Sequence, residues 1–222
     1  MIVHSLETVT LIGGASVNNT TLSRARAVAP RIVAADGGAD VAHENGLIPE
    51  AVIGDFDSIS DAARARLPDS ILHCIDDQDT TDFDKCLSQI SAPLIIGVGF
   101  TAGRQDHQLA CYNSLVRFAG QPCVLLGQHE LVFLAPPTML LDLRPGTVVS
   151  LFPLGAVEGT SDGLKWEIGG LNFAPDGRVG TSNRAKGPVH LSVTSPKMLV
   201  ILPSDALDIV VQTLSKSTVR WD

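Results

Sequence analysis

Residues 51–60 read AVIGDFDSIS: an apolar run, then a glycine and two closely spaced aspartates. The apolar run predicts a buried strand, and similar runs at residues 32–35 and 94–98 are also followed by aspartate or glycine. Strands that are apolar throughout, and that alternate with helices, are typical of a parallel sheet covered on both faces. Because such sheets bind ligands beyond the carboxyl ends of their strands, this stretch predicts a site as well as a fold.

The N-terminal part of the chain alternates strand and helix patterns as far as the pair Pro136–Pro137. The apolar spacing predicts strands at 9–12, 32–35, 51–53, 94–98 and 123–126, and helices at 22–29, 40–45, 79–90 and across 109–119. Beyond the prolines, short runs predict strands at 148–152, 164–168, 189–193 and 198–202, with one short helix at 205–214. We therefore predict an α/β N-terminal domain with a mostly parallel sheet, residues 1–137, and an all-β C-terminal sandwich domain, residues 138–222.

The chain of 222 residues has a formal net charge of −8, and its acidic residues are unevenly placed. A surface for nucleic acid or for anionic lipid needs a basic stripe, so we expect neither partner. More than half of the 24 acidic residues lie between Asp36 and Asp84, a segment whose Lys and Arg residues are Arg64 and Arg66 alone. Carboxylates at this density repel one another, which leaves two readings: a solvated acidic face or a divalent-metal site.

The four cysteines, at 74, 86, 111 and 123, lack the spacing of a metal site or of a disulfide framework, so we expect reduced thiols. The first residues do not show the basic segment and long apolar stretch of a signal peptide. No run approaches the roughly 18 apolar residues that a membrane-spanning helix needs. We therefore expect a cytoplasmic protein without a membrane partner.

Asp55 and Asp57 stand at positions i and i+2 after the predicted strand. In an extended segment both side chains would face one side, where burial and repulsion raise carboxyl pKa values unless a cation intervenes. Mg²⁺ is the natural cation, because it prefers oxygen ligands and joins carboxylates to substrate phosphates. The alternative is an Asx turn at Asp55, with Asp57 or Ser58 as a helix cap. Acidic or glycine-rich motifs stand at the ends of three predicted strands, at 36–39, 54–58 and 97–100, and together they favour the metal site.

Asp79, Asp82 and Lys85 fall at helical spacing in the next acidic segment. One interpretation makes Asp79 the N-cap of the helix and Asp82 the acid of a capping pair, which also suits the helix dipole. The other interpretation directs the carboxylate of Asp82 to the cation held by Asp55 and Asp57. Both interpretations can hold at once.

Two glycine-containing turns, DGGA at 36–39 and GRQDH at 103–107, follow predicted strands. Glycine lets the backbone approach a ligand closely and offer its N–H groups to phosphate. Arg104 is placed to stabilise charge on a transferring phosphoryl group. His107, taken alone, is more typical of a helix start or of the surface than of a catalyst.

Taken together, these motifs resemble those of the thiamine pyrophosphokinase (thiamine diphosphokinase) family. The resemblance rests on DGGA at 36–39, GDFDS at 54–58, DQDTTDFDK at 77–85, GRQDH at 103–107, SLFPL at 150–154, GLKW at 163–166 and TSN at 181–183. Each motif is short, but in this order they span nearly the whole chain, and this makes the resemblance specific.

The resemblance implies an enzyme that transfers the pyrophosphoryl group of ATP to the hydroxyl of thiamine, giving thiamine diphosphate and AMP with Mg²⁺ as cofactor. It also implies a homodimer, with thiamine between the catalytic domain of one subunit and the β domain of the other. The residues it assigns are Asp55, Asp57 and Asp82 for the metal; Asp36, Gly37, Gly38, Gly103, Arg104, Asp106 and His107 for the nucleotide; and Gln78, Trp166, Ser182 and Asn183 for thiamine. The chemistry of such a transfer extends the catalytic set, Asp55, Asp57 and Asp82, by Asp79 as an alternative proton acceptor and by Lys85 and Arg104 as further positive charge.

One position departs from the family pattern: Gln105 stands where an apolar or aromatic residue is usual, so no contact with the nucleotide base is carried over to it. Two alternatives stay open. Another Mg²⁺-dependent phosphotransferase or phosphohydrolase would retain the aspartates and need neither Trp166 nor Asn183. A non-catalytic protein that binds thiamine or its diphosphate would use the aspartates only for structure.

Overall fold

The computed structural model describes residues Met1–Trp221. This part of the chain divides into two compact units. The first unit is formed by Met1–Ser114 together with Leu125–Gln128, and the second by Leu115–Val124 together with the chain from His129 onward. The predicted two-domain arrangement is consistent with this division, while the boundary at residue 137 stays a prediction.

A parallel sheet forms the centre of the first unit. The strands of this unit are β1 (Val3–His4), β2 (Val9–Ile12), β3 (Arg31–Ala35), β4 (Ala51–Gly54), β5 (Leu72–Cys74), β6 (Ile90–Ser91) and β7 (Ile95–Val98). Five of them pair in parallel in the order β7-β2-β3-β4-β5, and β1 pairs in parallel with β6. Strands β2, β4 and β7 are buried along their whole length, as expected for a sheet covered on both faces.

Helices cover this sheet. They are α1 (Asn19–Val28), α2 (Gly38–Glu44), α3 (Asp61–Arg64), α4 (Asp82–Gln89) and α5 (Gln105–Arg117), the last of which continues past the end of the first unit. Helix α1 contacts β7, α2 contacts β2 and β3, and α4 contacts β3 and β4. Helix α1 begins earlier than the predicted residue 22, because the Asn18 side chain accepts a hydrogen bond of 2.7 Å from the backbone N–H of Thr21.

The strands of the second unit are antiparallel. After β8 (Cys123–Leu126), which straddles the division between the units, follow β9 (Glu130–Leu134), β10 (Thr138–Leu141), β11 (Val148–Pro153), β12 (Val157–Leu164), β13 (Asn172–Phe173), β14 (Thr181–Val193), β15 (Met198–Pro203) and the helix α6 (Leu207–Lys216). The pairing order is β13-β12-β14-β11-β15-β9, and β10 also pairs with β14. Burial alternates along β11 and β14, which places one face of each strand in the core.

One predicted strand of the second unit is wrong. The pattern at 164–168 predicts a strand, but β12 ends at Leu164 and a turn follows. The strand itself occupies 157–164, where the polar sequence VEGTSDGL hides the apolar alternation. A register shift between Asp162 and Leu164, with Gly163 at φ 95°, marks a bulge near the end of this strand. The short helix predicted at 205–214 is present as α6.

The cysteines are free thiols, with Cys74 exposed and the other three buried. Among the described helices, none combines the length and the apolar character that crossing a bilayer requires.

Candidate functional site

A cavity of about 810 Å³ lies in the first unit where β2, β3, β4 and β7 end. This volume is within the range typical of small-molecule sites. Its lining includes the predicted site residues Gly37, Asp55, Asp57, Asp82, Lys85, Gly103, Arg104 and His107, together with Gly14, Phe83, Phe100 and Cys111. The structure therefore brings the residues of four sequence motifs to one cavity.

The two aspartates of the opening motif lie on a tight turn. Strand β4 ends at Gly54, and Phe56 has a left-handed backbone with φ 68°. The backbone N–H of Asp57 donates to Oδ1 of Asp55 at 3.3 Å. The prediction of an extended segment at Asp55–Asp57 is therefore wrong, because the left-handed residue between them redirects the chain.

The Asx turn considered as the alternative is thus present, but the predicted helix cap is not. Helix α3 is capped by Ser60, whose Oγ accepts from the backbone N–H of Ala63 at 3.2 Å. The hydroxyl of Ser58 instead donates to Oδ1 of Asp57 at 2.7 Å. Neither Asp57 nor Ser58 caps α3, and both residues line the cavity.

Asp36 joins these two aspartates. One carboxylate oxygen from each of Asp36, Asp55 and Asp57 lies within 4.8 Å of the others. Asp36 is buried; its Oδ2 accepts from the backbone N–H of Ser58 at 3.1 Å, and its Oδ1 has no hydrogen-bond partner among the described residues. Gly54 permits this approach, because a Cβ at that position would lie 2.6 Å from the Cβ of Asp36.

The surroundings of Asp36 concentrate negative charge. Burial, followed by the nearby carboxylate of Asp82, raises the pKa of Asp36 from 3.8 to about 6, although the N–H of Ser58 acts in the opposite direction. Asp57 and Asp55 make smaller contributions to this raised pKa. A bound cation would offset this repulsion, since it favours the ionised form of each carboxyl group.

Helix α4 begins at a capping box. The Oγ1 of Thr81 accepts from the backbone N–H of Asp84 at 3.1 Å, and the carboxylate of Asp84 accepts from the N–H of Thr81 at 3.2 Å. The predicted N-cap at Asp79 is therefore wrong, because Thr81 and Asp84 satisfy the first N–H groups instead. Asp82 becomes the first residue of the helix, with Lys85 on its next turn.

Lys85 joins two of the predicted carboxylates. Its Nζ lies 2.7 Å from Oδ2 of Asp55 and 3.1 Å from Oδ1 of Asp82, and its side chain is 2% exposed. Burial acts to lower the pKa of Lys85, but the hydrogen bonds to both carboxylates raise it above the ordinary value. The hydrogen bond from Lys85 lowers the pKa of Asp55. Burial raises the pKa of Asp82, although the hydrogen bond from Lys85 acts in the opposite direction. Lys85 is therefore a fixed positive charge between the two acids.

The segment before α4 is a polar loop. The carboxylate of Asp77 accepts from the backbone N–H of Asp79 at 2.9 Å and from Oγ1 of Thr80 at 2.7 Å. Gln78 and Asp79 are exposed. Their side chains are accessible to a substrate, and the loop that carries them leads directly into the helix of Asp82 and Lys85.

Arg104 and Asp106 form a bidentate pair at the start of α5. The guanidinium lies 2.6 Å and 3.1 Å from the two carboxylate oxygens, and the hydrogen bonds from Arg104 lower the pKa of Asp106 to about 2. Gly103, at φ 86°, provides the left-handed turn that precedes the pair. Arg104 and His107 line the cavity and are exposed. The guanidinium is thus accessible to an anion while Asp106 holds one edge of it.

The predicted thiamine residues of the second unit form a cluster on β14 and the turn after β12. Trp166 is 55% exposed, which excludes a role in the core, and Lys165 places its Nζ 4.5 Å from the ring centroid. Asn183 is buried; its Oδ1 accepts from the N–H of Trp166 at 3.2 Å, and its Nδ2 donates to the carbonyl of Trp166 at 2.6 Å. Asn183 therefore positions Trp166, while Ser182 is exposed beside it on β14.

Two features at or beside the cavity are not among the residues predicted from the sequence. Thr81 and Asp84 carry a recognisable capping signal, with threonine three residues before an acid. Phe83 and Phe100 line the cavity with their ring centroids 4.6 Å apart. No local signal joins these rings, because they come from different elements that meet only in the folded chain.

Comparison with known proteins gives a consistent result. Residues 23–125 match the family model of the thiamin pyrophosphokinase catalytic domain, and residues 138–198 match that of the thiamin pyrophosphokinase vitamin B1 binding domain. Thiamine pyrophosphokinase 1 of Oryza sativa subsp. japonica is 31% identical over 154 residues, which cover 61% of this chain and 58% of that protein. Thiamine pyrophosphokinase 2 of Arabidopsis thaliana is 32% identical over 161 residues, which cover 62% and 59%. The chain thus spans less than two thirds of these relatives.

Solved structures show the same fold. The crystal structure of yeast thiamin pyrophosphokinase superposes with a TM-score of 0.75 at 16% identity, covering 93% of this chain and 89% of that one. The Bacillus subtilis thiamine pyrophosphokinase gives a TM-score of 0.73 at 20% identity, covering 90% and 100%. Because the two family models together match most of this sequence, one in each part, the chain belongs to the thiamin pyrophosphokinase family.

Proposed function

We propose that this protein transfers the pyrophosphoryl group of ATP to the hydroxyl of thiamine, giving thiamine diphosphate and AMP. The observation that carries the proposal is the buried carboxylate of Asp36, whose Oδ1 is unpartnered among the described residues and which lies against Asp55 and Asp57. Asp55 and Asp57 line the cavity of about 810 Å³, in a chain of the thiamin pyrophosphokinase family. A kinase of this kind needs a cation between its carboxylates and the nucleotide phosphates.

The acidic cluster fits Mg²⁺. Its donor set consists of carboxylate oxygens, and the unpartnered Oδ1 of Asp36 gains a partner when a cation is present. We assign Asp36, Asp55 and Asp57 as ligands, with Asp82 as the fourth carboxylate of the site. When bound, Mg²⁺ supplies positive charge that neutralises the triphosphate and the leaving AMP.

The residues around the cluster support an in-line attack. The primary alcohol of thiamine must lose a proton as it attacks the β-phosphorus, and Asp82 or the exposed Asp79 would accept that proton. Lys85 and Arg104 contribute positive charge against the phosphates. The backbones of Gly37, Gly38 and Gly103, with the side chains of Asp106 and His107, would contact the nucleotide.

Thiamine is a cation, which suits an acidic site and an aromatic face. We propose that Trp166 receives its ring system, that Ser182 and Gln78 contact it, and that Asn183 holds the Trp166 backbone in place. The exposure of Trp166 supports this role. We also propose a homodimer in which thiamine lies between the catalytic domain (residues 1–137, α/β) of one subunit and the sandwich domain (residues 138–222) of the other. The proposed location is cytoplasmic.

Product analysis tests the proposal. With ATP, Mg²⁺ and thiamine we expect AMP and thiamine diphosphate in equal amounts; ADP or inorganic phosphate would instead indicate another phosphotransferase or a phosphohydrolase.

Trp166→Ala should raise the KM for thiamine without changing thermal stability, because the ring is largely exposed. Trp221→Ala is the matched control: it removes a hydrogen bond of 2.8 Å to Ala135 and should affect stability but not KM. A non-catalytic binding protein would show no turnover, and Asp57→Ala would leave its thiamine affinity unchanged.

A further inference from the structure

Two residues near the acidic cluster have an unusual backbone. Within residues 1–221, the non-glycine residues with positive φ are Asp36, at 39°, and Phe56, at 68°. Left-handed backbone is unfavourable for a bulky side chain such as phenylalanine, and it persists only where the surroundings enforce it. Both residues lie in the turns that carry the clustered carboxylates of Asp36, Asp55 and Asp57.

The ring of Phe56 explains how this backbone is maintained. It packs against a buried cluster formed by Ala34, Ala39 and Val52, which belong to β3, α2 and β4. The guanidinium of Arg64, on α3, lies 5.5 Å from the ring centroid. The side chain is thus fixed by the core of the first unit and by the helix that follows the turn.

The position of this ring has a direct consequence for the carboxylates. Phe56 separates Asp55 from Asp57, and its left-handed backbone accompanies the 3.3 Å hydrogen bond between those two residues. If Phe56 relaxed to negative φ, the chain beyond it would change direction and the carboxylate of Asp57 would move away from Asp36 and Asp55. The geometry of the acidic group therefore depends on an apolar contact outside it.

We infer that Phe56 is a positioning residue: its ring, packed against Ala34, Ala39 and Val52, holds the turn that brings Asp55 and Asp57 to Asp36. The inference rests on the proposed function, since it assumes that these carboxylates bind a divalent cation. Phe56 is not among the residues that line the cavity, so its side chain acts through the turn.

Leu67 provides a matched control for the loss of packing. It packs against the same buried cluster as Phe56 but lies outside the turn. Replacing either residue by alanine removes apolar contacts from the same part of the core, so both variants should lose thermal stability. Only the Phe56 variant should lose cation affinity.

Mn²⁺ binding, counted by electron paramagnetic resonance without nucleotide, tests the inference. Phe56→Ala should raise the Kd for Mn²⁺ by about tenfold or more, while Leu67→Ala leaves it within about twofold of the wild type. Phe56→Leu retains part of the apolar contact and should give an intermediate Kd; it decides the matter if Phe56→Ala does not fold. An unchanged Kd in the Phe56 variants, with reduced stability, would overturn the inference alone. A wild-type protein that binds no Mn²⁺ would overturn the metal site of the proposed function as well.

Discussion

The ammonium of Lys85 lies 2.7 Å from Oδ2 of Asp55, across 30 positions of sequence. The contact joins the turn after β4 to the first turns of α4, and the second bond of Lys85, to Asp82, ties that helix start to the same charge. Because the ammonium is bonded to both carboxylates, Asp55 and Asp82 each have a positively charged partner even without a metal. Lys85 therefore holds the acidic cavity together in the free protein.

Lys85→Met should destabilise the protein, because it preserves the buried stem and removes the charge between Asp55 and Asp82. We expect a loss of about 2 kcal/mol in the free energy of unfolding, below the value for fully buried pairs since Asp82 is partly exposed. Urea unfolding measures it. Lys186→Met is the control, because its 3.3 Å pair with Glu167 is exposed and should contribute little. Equal, small effects in both variants would contradict the structural role of Lys85.

Much of the first unit follows from its sequence. Strands such as β2 and β8, whose residues are all buried, are found where their apolar pattern places them. The motifs after β2, β3, β4 and β7 line one cavity. The backbone geometry of the loops that carry the aspartates is harder to predict from the sequence. The pair Asp55 and Asp57 suggested an extended segment, but the contact of Phe56 with the core imposes a left-handed turn, and such a tertiary contact has no local signature.

The remaining errors have similar causes. Asp79 was a plausible helix cap, but Thr81 competes with it through the reciprocal pair with Asp84. The family resemblance assigns Asp36 to the nucleotide, and this assignment stays a prediction; only the folded chain shows its carboxylate beside Asp55 and Asp57. In the second unit the polar strand β12 escaped detection because its apolar positions are few.

The pKa of Asp36 predicts how pH affects the metal-free protein. The folded-state pKa, about 6, is above the ordinary value of 3.8, so the folded state binds more protons than the unfolded state between these values. The contribution of Asp36 to stability is therefore present at low pH and is lost as pH rises through about 6. When melting temperatures are measured across pH, the Asp36→Asn variant should lack the fall in stability that the wild type shows as pH rises through about 6.

The same titration governs cation binding. Below about pH 6 a divalent cation must displace the proton of Asp36, so Mg²⁺ should stabilise the protein more at about pH 7.5 than at about pH 5. Asp36→Asn should weaken the stabilisation by Mg²⁺ at both pH values. A wild-type shift in melting temperature that is the same at both would count against Asp36 as a ligand.

Gly54→Ala tests the close approach of β4 to Asp36. The new Cβ would lie 2.6 Å from the Cβ of Asp36, so one of the two segments must move. We expect a loss of about 1 to 3 kcal/mol of stability and weaker binding of Mn²⁺. Gly187→Ala is the control, because a Cβ there meets nothing within 4 Å. If Gly54→Ala binds Mn²⁺ as tightly as the control, the acidic cluster does not depend on this contact.

The central claim is the transfer of a pyrophosphoryl group at the acidic cluster. The most direct measurement is ³¹P NMR of the protein with ATP, Mg²⁺ and thiamine, compared with the same mixture without thiamine and with two variants. The account predicts thiamine-dependent signals of AMP and thiamine diphosphate that disappear in Asp57→Ala and persist in Asp61→Ala, whose aspartate is exposed at the start of α3. Formation of ADP or inorganic phosphate, or full activity in Asp57→Ala, would contradict it.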